Sequence, residues 1–365
     1  MKRQAIRITL HSLCIFALTV LFCKLIPYDP ANMPNFGASI DRDITDFYNS
    51  VANDRQEARL DTNIVLVDIG LADRDELADA LDLIYDCDPL AIGLDVVFDS
   101  PRDNADDEKL VNTILNIPNI VIASSFDKEK RSFFDSIVPE QNKGFANIGD
   151  EDKVIRQLFT TRVSETDTLR SFASQIIRMS GITTSTESKN GDYIMFPSIE
   201  YDTLRIDEIE QEHERLSGKL VLIGTLAYNE DIFYTPTDMR MNGVCVHAHI
   251  LSTMLSDKKI SYLEKTIQWV VAFIVIFALI FLRVYFMFGG NAMGDFIIRI
   301  MQFLVVWLFV YASYLLFVYY FKYCDLSIAL LSCISLLVAD AWQAGLYVVD
   351  KIKRSNLKKT SKSNG

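Results

Sequence analysis

Three aspartates lie at or near the ends of apolar segments that are typical of buried β-strands. Asp68 ends the run IVLVD, and Asp95 and Asp99 lie within LAIGLDVVFDS. Ligands of open α/β sheets bind at the carboxyl ends of the strands. Carboxylates placed there can bind a hard cation such as Ca²⁺ or Mg²⁺, or accept hydrogen bonds from a polar ligand. The three aspartates are therefore candidate ligand-binding residues.

Aspartates that follow strands also have an ordinary structural role. An Asp side chain commonly caps the next helix or accepts hydrogen bonds from the N–H groups of a turn. We favour this role for Asp68 and Asp99. Asp95 differs because it interrupts an apolar segment, where a buried carboxylate needs a partner. For Asp95, a ligand-binding role and a structural hydrogen-bonding role both stay open.

Two polar residues lie in apolar segments that are long enough to cross a membrane. Asp340 lies in the last of these segments, and Gln302 lies in the one before it. A carboxylate inside a bilayer is costly and is usually paired or functional. We expect Gln302 to hydrogen-bond Asp340. We favour a contact that holds a helix bundle in register over a functional membrane site.

The elements that would position the aspartates follow from the hydrophobic pattern. Apolar runs at 63–70, 90–100 and 120–126 predict strands, and amphipathic segments at 73–85 and 106–117 predict helices between them. Strand–helix–strand alternation with short links is typical of a parallel sheet. Near-continuous apolar strands indicate that both faces of the sheet are covered. We therefore predict an α/β fold, with a mostly parallel sheet in a three-layer α/β/α outer domain.

The rest of this domain is predicted from weaker patterns. The segment 219–225, KLVLIGT, predicts another buried strand, and 154–163 alternates like a half-buried strand. Helices are predicted at 168–180, at the charged segment 207–216 and at 246–256.

Four apolar segments, at 8–26, 267–282, 300–321 and 326–349, approach the length of about 20 residues that a membrane-spanning helix needs. Lys and Arg residues flank these segments, and all of them fall on one side of the membrane if both termini are cytoplasmic. We therefore predict a multi-pass protein of the cytoplasmic (inner) membrane. Its predicted parts are an uncleaved N-terminal anchor helix (1–26), an extracytoplasmic domain (27–262), a three-helix transmembrane region (263–350) and a basic cytoplasmic tail (351–365).

The charge of the predicted outer domain restricts its partners. Residues 27–262 contain 43 Asp and Glu against 22 Lys and Arg, a net charge of −21, whereas the whole chain carries −12. Binding to nucleic acid needs a positive face, so we expect no nucleic acid partner. Cys87 and Cys245 are the two cysteines of this domain. We expect two partly buried thiols rather than a disulfide.

Six motifs occur along the chain in a recognisable order: IVLVDIG, AIGLDVVF, GFANIGDEDKVIRQ, GKLVLIG, DIFYTP and GVCVHAHI. Their order and spacing resemble the type-2 CHASE domain, an extracytoplasmic sensory module of bacterial signalling proteins. The resemblance covers roughly residues 30–262 and, with the three later spans, most of the chain. Members of that family typically carry a cytoplasmic cyclase or kinase after the spans. Only 351–365 follow the last predicted span here, so we expect a stand-alone member that acts on a separate effector.

The resemblance implies three further candidate residues. Asp231 and His247 match motif positions, and His247 could hydrogen-bond beside Asp231 or respond to pH. A hydrogen-bonded core histidine is the alternative that we favour. His249 is two residues from His247, so a helix directs the two side chains differently and a paired metal site is not expected. Arg156 could bind an anionic ligand bidentately, but in so acidic a domain we expect it to pair with carboxylates.

These observations predict a membrane-bound sensory receptor. Its outer domain would bind an unknown extracytoplasmic ligand, and its helices would pass the signal through the lipid bilayer to a cytoplasmic or membrane effector protein. The alternative is a cell-envelope docking or assembly protein that holds a partner without switching. A metal-dependent hydrolase using the aspartates is a third hypothesis. Signatures such as G-x-S-x-G and H-E-x-x-H are absent from the sequence, so we expect neither an enzyme, nor a cofactor, nor a bound metal.

Overall fold

The fold consists of two compact units. One combines Met1–Pro34 with Tyr262–Gly365, and the other is Asn35–Ser261. We describe each unit by itself. The computed structural model describes residues 6, 9–15, 17–18, 46, 59–98, 100–102, 105–125, 132–148, 154–163, 168–184, 187–196, 199–226, 231–237, 240–257, 259–289, 292–323, 334–335, 337–349 and 351–352.

The unit Asn35–Ser261 alternates strands with helices through its first half. Later elements include longer connections and several short strands. In chain order the elements are β1 (Arg59–Asp68), α1 (Arg74–Asp86), β2 (Ala91–Leu94), α2 (Ala105–Asn116), β3 (Ile120–Ser124), β4 (Lys143–Phe145), β5 (Thr161–Val163), β6 (Thr168–Arg170), α3 (Phe172–Ser180), β7 (Ile199–Arg205), β8 (Leu220–Gly224), β9 (Ile232–Phe233), β10 (Met241–Asn242) and α4 (Gly243–Leu255).

Six of the strands form one sheet in the order β4-β3-β2-β8-β1-β7. Each neighbouring pair is parallel, which confirms the predicted α/β fold with a parallel sheet. Helices α1 and α2 form the crossovers from β1 to β2 and from β2 to β3, as parallel strands require. Strand β8 lies between β1 and β2, so the strands that are joined through α1 do not pair with each other.

Alternate residues of the central strands enter two separate cores, one on each face of the sheet. Val65 and Val67 pack with the apolar side chains of α1 and α2. Ile64 and Leu66 pack with those of α3 and α4 on the opposite face. The side-chain period of two in a strand produces this division. Helices therefore cover both faces of the sheet, which explains why β2, β3, β8 and residues 64–67 of β1 are almost continuously apolar.

The N-terminus of α1 is capped by side chains that lie next to it in the sequence. The Asp73 side chain accepts a hydrogen bond from the backbone N–H of Glu76 at 2.9 Å. The Glu76 side chain accepts one from the backbone N–H of Asp73 at 3.0 Å. This capping box satisfies two N–H groups that a helix leaves unpaired at its start. It explains why α1 begins within one residue of its predicted position.

Four predictions about the elements of this unit need correction. The helix predicted at 168–180 begins only at Phe172, because residues 168–170 form β6. The strand predicted at 90–100 ends at Leu94, so Asp95 follows β2 rather than interrupting it. The helix predicted at 207–216 is replaced by two 3₁₀ turns, Ile206–Glu208 and His213–Arg215. Its sequence offers few apolar side chains to hold a longer helix on the core. The segment 154–163 forms isolated bridges and the short strand β5 rather than one strand.

The other unit contains two long apolar helices, α5 (Lys265–Gly289) and α6 (Ala292–Tyr320). Both are long and apolar enough to cross a membrane, over Thr266–Tyr285 and Phe296–Tyr320. Large apolar side chains on α6 are exposed, including Phe303 and Leu308, as in a helix that faces lipid. The short strands β11 (Ser261–Tyr262) and β12 (Lys322–Tyr323) flank these helices in sequence.

The count of membrane spans differs from the four predicted. Among the residues that the structure describes, only α5 and α6 meet the length needed. The predicted first span is described as helix at residues 9–15 and 17–18, and the rest of it lies outside the described residues. The fourth is described as the shorter apolar helix Leu337–Val349. The structure therefore supports two of the four predicted spans.

Candidate functional site

The carboxyl ends of β1, β8 and β2 meet at one edge of the sheet, as expected for neighbouring parallel strands. Asp95 directly follows β2, and its backbone N–H donates a hydrogen bond to the carbonyl of Ile223 in β8 at 2.8 Å. The first turn of α4 packs on the same edge. A Cβ placed on Gly224 would lie 3.1 Å from Cβ of Val244, so this helix begins in close contact with the end of β8.

Asp95 and His247 face each other at this edge. Oδ2 of Asp95 lies 4.0 Å from Nε2 of His247, and their side chains are only 11% and 5% exposed. The Phe172 ring stands edge-on to the imidazole, with 5.0 Å between ring centroids. Because the two groups come from β2 and the first turns of α4, the pair links the middle of the sheet to the last helix of the domain.

Burial changes the protonation of both groups. Desolvation raises the pKa of Asp95 to about 7. Desolvation also lowers the pKa of His247 to about 4, against the opposing effects of the Asp231 charge and of the Ala146 backbone. Burial favours the uncharged form of each group. At neutral pH the imidazole is therefore uncharged, and Asp95 lies close to the midpoint of its titration.

Asp231 lies beside the start of α4. Its backbone carbonyl accepts a hydrogen bond from the N–H of Gly243 at 3.0 Å. Its carboxylate lies so close to Gly243 that an added Cβ would be 2.0 Å from Oδ2. A carboxylate at a helix N-terminus is favoured by the helix dipole. The motif GVCVHAHI therefore begins with glycine because Asp231 occupies the space of a side chain.

Asp68 has the structural role that we favoured. Its Oδ1 accepts hydrogen bonds from the backbone N–H groups of Gly70 at 3.1 Å and of Leu226 at 3.0 Å. These bonds join the turn after β1 to the segment after β8. Asp99, which we also expected to have a structural role, lies outside the described residues.

Arg156 is engaged by a carboxylate, as we expected. Its Nε and Nη2 donate to the two oxygens of Asp46 at 2.9 and 2.7 Å, a bidentate geometry that is strong and specific. Asp46 is distant in sequence, so the pair is a long-range contact of the segment that follows β4. This ion pair occupies the guanidinium that a ligand would otherwise need.

Aspartates and histidines at this edge do not form a metal centre in the described part of the chain, where no group of three or more His, Cys, Asp or Glu is placed to hold a metal ion. Asp68 is committed to backbone N–H groups, and Asp95 faces an imidazole. Asp95 can accept and release a proton near neutral pH. Because His247 belongs to α4, a change in the distance between Asp95 and His247 can be transmitted to that helix.

A family model described as the CHASE2 domain matches residues 41–285, which is more than half of the chain. The chain belongs to the CHASE2 domain family. CHASE2 is a sensory, extracytoplasmic domain family, and this confirms the resemblance that the six motifs indicate. No curated protein matches the chain, and no solved structure matches it.

The CHASE2 domain contains a second buried histidine that sequence reasoning passed over as a site. Nδ1 of His249 lies 3.2 Å from the hydroxyl of Tyr201 in β7, and desolvation lowers the pKa of His249 to about 4. Desolvation raises the pKa of Tyr201. His249 packs beside Phe196, whereas His247 packs beside Phe172 and Asp95. The prediction that α4 directs the two histidines differently is therefore confirmed.

Arg74 is a further residue that the motifs did not indicate. It forms a buried ion pair with Asp107, and its Nη2 donates to the carbonyl of Ser100 at 2.8 Å. Its guanidinium also lies over the Phe98 ring, 5.0 Å from the centroid. Arg74 thereby holds the segment that follows Asp95. An arginine at the buried start of an amphipathic helix was the only signal for it in the sequence.

The predicted polar membrane residues are not partners of each other. Asp340 accepts hydrogen bonds from Arg283 at 2.8 Å and from Arg299 at 3.0 Å. The side chain of Arg283 is 7% exposed and that of Arg299 is 61% exposed. Gln302, the expected partner, is buried, and among the described residues its Nε2 has no hydrogen-bond partner. Charge neutralisation explains the correction, because a half-buried carboxylate gains more from a guanidinium than from an amide.

Cys87 and Cys245 do not form a disulfide with each other. Sγ of Cys87 donates to the carbonyl of Leu83 at 3.1 Å, within α1. Both cysteines are half-buried thiols, as we expected.

Proposed function

We propose that the chain is a membrane-bound sensory receptor. In this proposal the CHASE2 domain detects a signal outside the cell, and the change passes through the membrane helices to a separate effector protein. Membership of a sensory family supports the first half. The second half is supported by the chain itself, because α4, which carries His247, ends at Leu255 and α5 begins at Lys265.

We place residues 27–262 outside the cytoplasmic membrane and both termini in the cytoplasm. The family is extracytoplasmic, and the two apolar helices α5 and α6 are long enough to cross a bilayer. Arg283 and Arg299 lie toward the short link between these helices. Basic residues are enriched on the cytoplasmic side, so this link is cytoplasmic in the proposed topology. The basic tail 351–365 could there contact anionic lipid or an acidic partner.

The role that we propose is binding and signal transfer, without catalysis and without a cofactor. The residues at the carboxyl edge of the sheet are engaged in ways that support this view. Asp68 holds two backbone N–H groups, and Arg156 is paired with Asp46. The buried Asp95–His247 pair is a group whose geometry and protonation can differ between two states of the domain.

The connector between α4 and α5, residues 256–264, allows a direct test of signal transfer. A promiscuous biotin ligase is fused after Gly365 in the full-length protein, and labelled proteins are identified from cells. A short flexible glycine insertion after Ser256 should uncouple α5 from α4 and change the set or amount of labelled cytoplasmic proteins. The matched control is the same insertion after Gly191, a surface turn with positive φ, and it should leave the labelling as in the wild type.

The docking alternative predicts a different result. A protein that only holds a partner outside the membrane would keep the same labelled proteins after either insertion. It would also co-purify with one envelope protein under every growth condition. Unchanged labelling with the insertion after Ser256, in protein of wild-type abundance, would therefore overturn the proposed signal transfer.

A further inference from the structure

A cleft of about 340 Å³ opens at the β4 edge of the sheet, between β4, β6 and α3. Beside the cleft, α3 begins in direct contact with β4, where a Cβ on Gly144 would lie 2.5 Å from Cα of Phe172. The floor is formed by the end of β3 and by β4, and one wall is a face of α3. Its polar lining residues include Ser124, Gln141, Lys143, Arg170, Gln175 and Arg178.

The charge of the cleft is opposite to that of the domain. Its charged lining residues are Lys143, Arg170 and Arg178 against one acid, Glu140, in a domain whose net charge is −21. Lys143 forms an ion pair with Glu140. Arg170 and Arg178 are exposed, and among the described residues neither side chain has a hydrogen-bond or ion-pair partner. By contrast, Arg74, Arg156 and Arg215 of the same domain are each paired with an aspartate.

Two unpaired guanidinium groups in one cleft have a definite chemical preference. Each presents planar donors that match the two oxygens of a carboxylate or a phosphate. The side-chain amide of the buried Gln175 donates a hydrogen bond to the carbonyl of Gln141. Gln175 lies between the two arginines in the sequence, so this bond holds in place the part of α3 that forms the wall. The volume lies in the range of small-molecule pockets. We infer that this cleft binds a small soluble anion carrying a carboxylate or phosphate group.

The position of the cleft gives the bound anion a route to the proposed output. Phe145 of β4 lines the cleft and also lines a small internal cavity that contains His247. The backbone of Ala146, the next residue, contributes to the pKa of His247. A shift of β4 on anion binding would therefore reach α4. In this respect the inference rests on the proposed sensory function, with the anion as its signal.

Binding of two simple probes tests the site. Succinate and inorganic phosphate are titrated separately by calorimetry into the full-length protein in a non-ionic detergent at constant ionic strength. Succinamide, which has the same length as succinate but no charge, is the ligand control. We expect one of the two anions to bind at millimolar concentration or below and succinamide not to bind. Which anion binds assigns the carboxylate or the phosphate class.

The variants Arg170→Ala and Arg178→Ala should each weaken that binding by about tenfold or more, because each removes a charge-assisted contact. Arg178→Lys should recover only part of the loss, since an ammonium cannot bind bidentately. The matched control is Arg205→Ala at β7, the opposite edge of the same sheet, where the guanidinium pairs with Asp207. It should bind as the wild type does.

Failure of both anions to bind the wild-type protein would overturn the inference. The inference would also be overturned if the Arg170→Ala and Arg178→Ala variants bound the anion as tightly as the wild type, or if Arg205→Ala weakened binding as much as they do. These outcomes are separate from those of the connector insertion, because calorimetry reads binding and the biotin ligase reads output. If an anion binds but the insertion after Ser256 does not change the labelled proteins, signal transfer is contradicted and the anion site is supported.

Discussion

At the scale of single residues, burial sets the protonation of Asp95 and His247, and no hydrogen bond joins their side chains. The 4.0 Å between Oδ2 and Nε2 exceeds the length of a hydrogen bond. Desolvation moves the two pKa values in opposite directions, to about 7 for Asp95 and about 4 for His247. In each case the pKa of the group differs between the folded and the unfolded chain, because burial disfavours its charged form. Each group therefore makes the free energy of unfolding depend on pH.

Replacing Asp95 with asparagine should change how the domain responds to alkaline pH. The folded chain retains a proton on Asp95 up to a pKa of about 7, whereas a free Asp has a pKa of 3.8. The stability contributed by this protonated carboxyl is therefore fully present below about pH 4 and is lost as the pH rises to 7. Asp95→Asn cannot ionise, so its advantage over the wild type should grow between pH 4 and 7, up to about 4 kcal/mol, and then stay constant.

Thermal unfolding of full-length protein across pH 4.5 to 8.5 measures this difference. Both proteins keep His247 and His249, whose lowered pKa values remove stability as the pH falls below 6.5, so these effects cancel between them. The exposed Glu214→Gln serves as the control and is expected to follow the wild type throughout. A constant difference between Asp95→Asn and the wild type over the whole range would show that Asp95 is not a buried, titrating group.

At the scale of elements, the contact between β4 and α3 depends on one missing side chain. In Gly144→Ala the new Cβ would meet Cα and N of Phe172 at 2.5 and 2.8 Å. These are backbone atoms, which cannot rotate away, so α3 must move from the sheet. We expect a loss of about 1–3 kcal/mol or more, as for overpacked cores.

The Gly144→Ala variant is compared with the wild type by chemical denaturation monitored by circular dichroism. Gly345→Ala provides the same chemical change in open space within a helix, since nothing lies within 4 Å of its added Cβ. It should be as stable as the wild type or more stable by up to about 1 kcal/mol, because Ala is the better helix former. Equal stability of Gly144→Ala and the wild type would mean that β4 and α3 are not in direct contact.

The three-residue charge cluster of the membrane helices allows a second prediction at this scale. Asp340→Asn removes a counter-charge of the buried Arg283, so we expect a loss above about 1 kcal/mol, toward the about 3–5 kcal/mol that breaking a buried pair typically costs. Arg299→Ala removes the exposed partner, for which about 0–1 kcal/mol is expected. Unfolding in detergent micelles should therefore be much easier for Asp340→Asn than for Arg299→Ala. Equal effects would mean that Arg283 is not the dominant partner.

Strands that are buried on both faces of the sheet can be predicted from the sequence, whereas partly exposed edge strands cannot. Strands β1, β2, β3 and β8 are covered on both faces, so their apolar runs are unmistakable. Strand β7, IEYDTLR, is not predicted because it is an edge strand in which only Leu204 is fully buried and four of seven residues are polar. Its sequence pattern resembles that of a surface loop.

In the candidate site, features that depend on neighbouring residues could be predicted from the sequence, and contacts between distant residues could not. The position of Asp95 inside an apolar segment predicted its burial, and motif order placed Asp231 and His247. The partners of Asp340 and Arg156 could not be predicted, because they depend on contacts between residues far apart in sequence. Asp46 is 110 residues from Arg156, and Arg283 is 57 residues from Asp340.

At the scale of the whole molecule, the proposed orientation can be tested with two single cysteines. Glu214→Cys lies on an exposed 3₁₀ turn of the CHASE2 domain, and Ser361→Cys lies in the basic tail. In a background without the native cysteines, a membrane-impermeant maleimide should label Glu214→Cys in intact cells. Ser361→Cys should react only after the membrane is permeabilised. Labelling of Ser361→Cys but not Glu214→Cys in intact cells would reverse the topology and exclude an extracytoplasmic sensor.

The order of strands in the sheet has a consequence for how the chain is made. Strand β8 separates β1 from β2, yet it follows them by more than a hundred residues, with Ile64 paired to Leu220. A nascent chain that has emerged as far as β7 therefore still lacks the strand that joins the two halves of its sheet. Folds dominated by such non-local pairing assemble slowly. Until residue 224 has been synthesised and exported, the apolar edges of β1 and β2 are open to aggregation, and chaperones outside the membrane would find their target there.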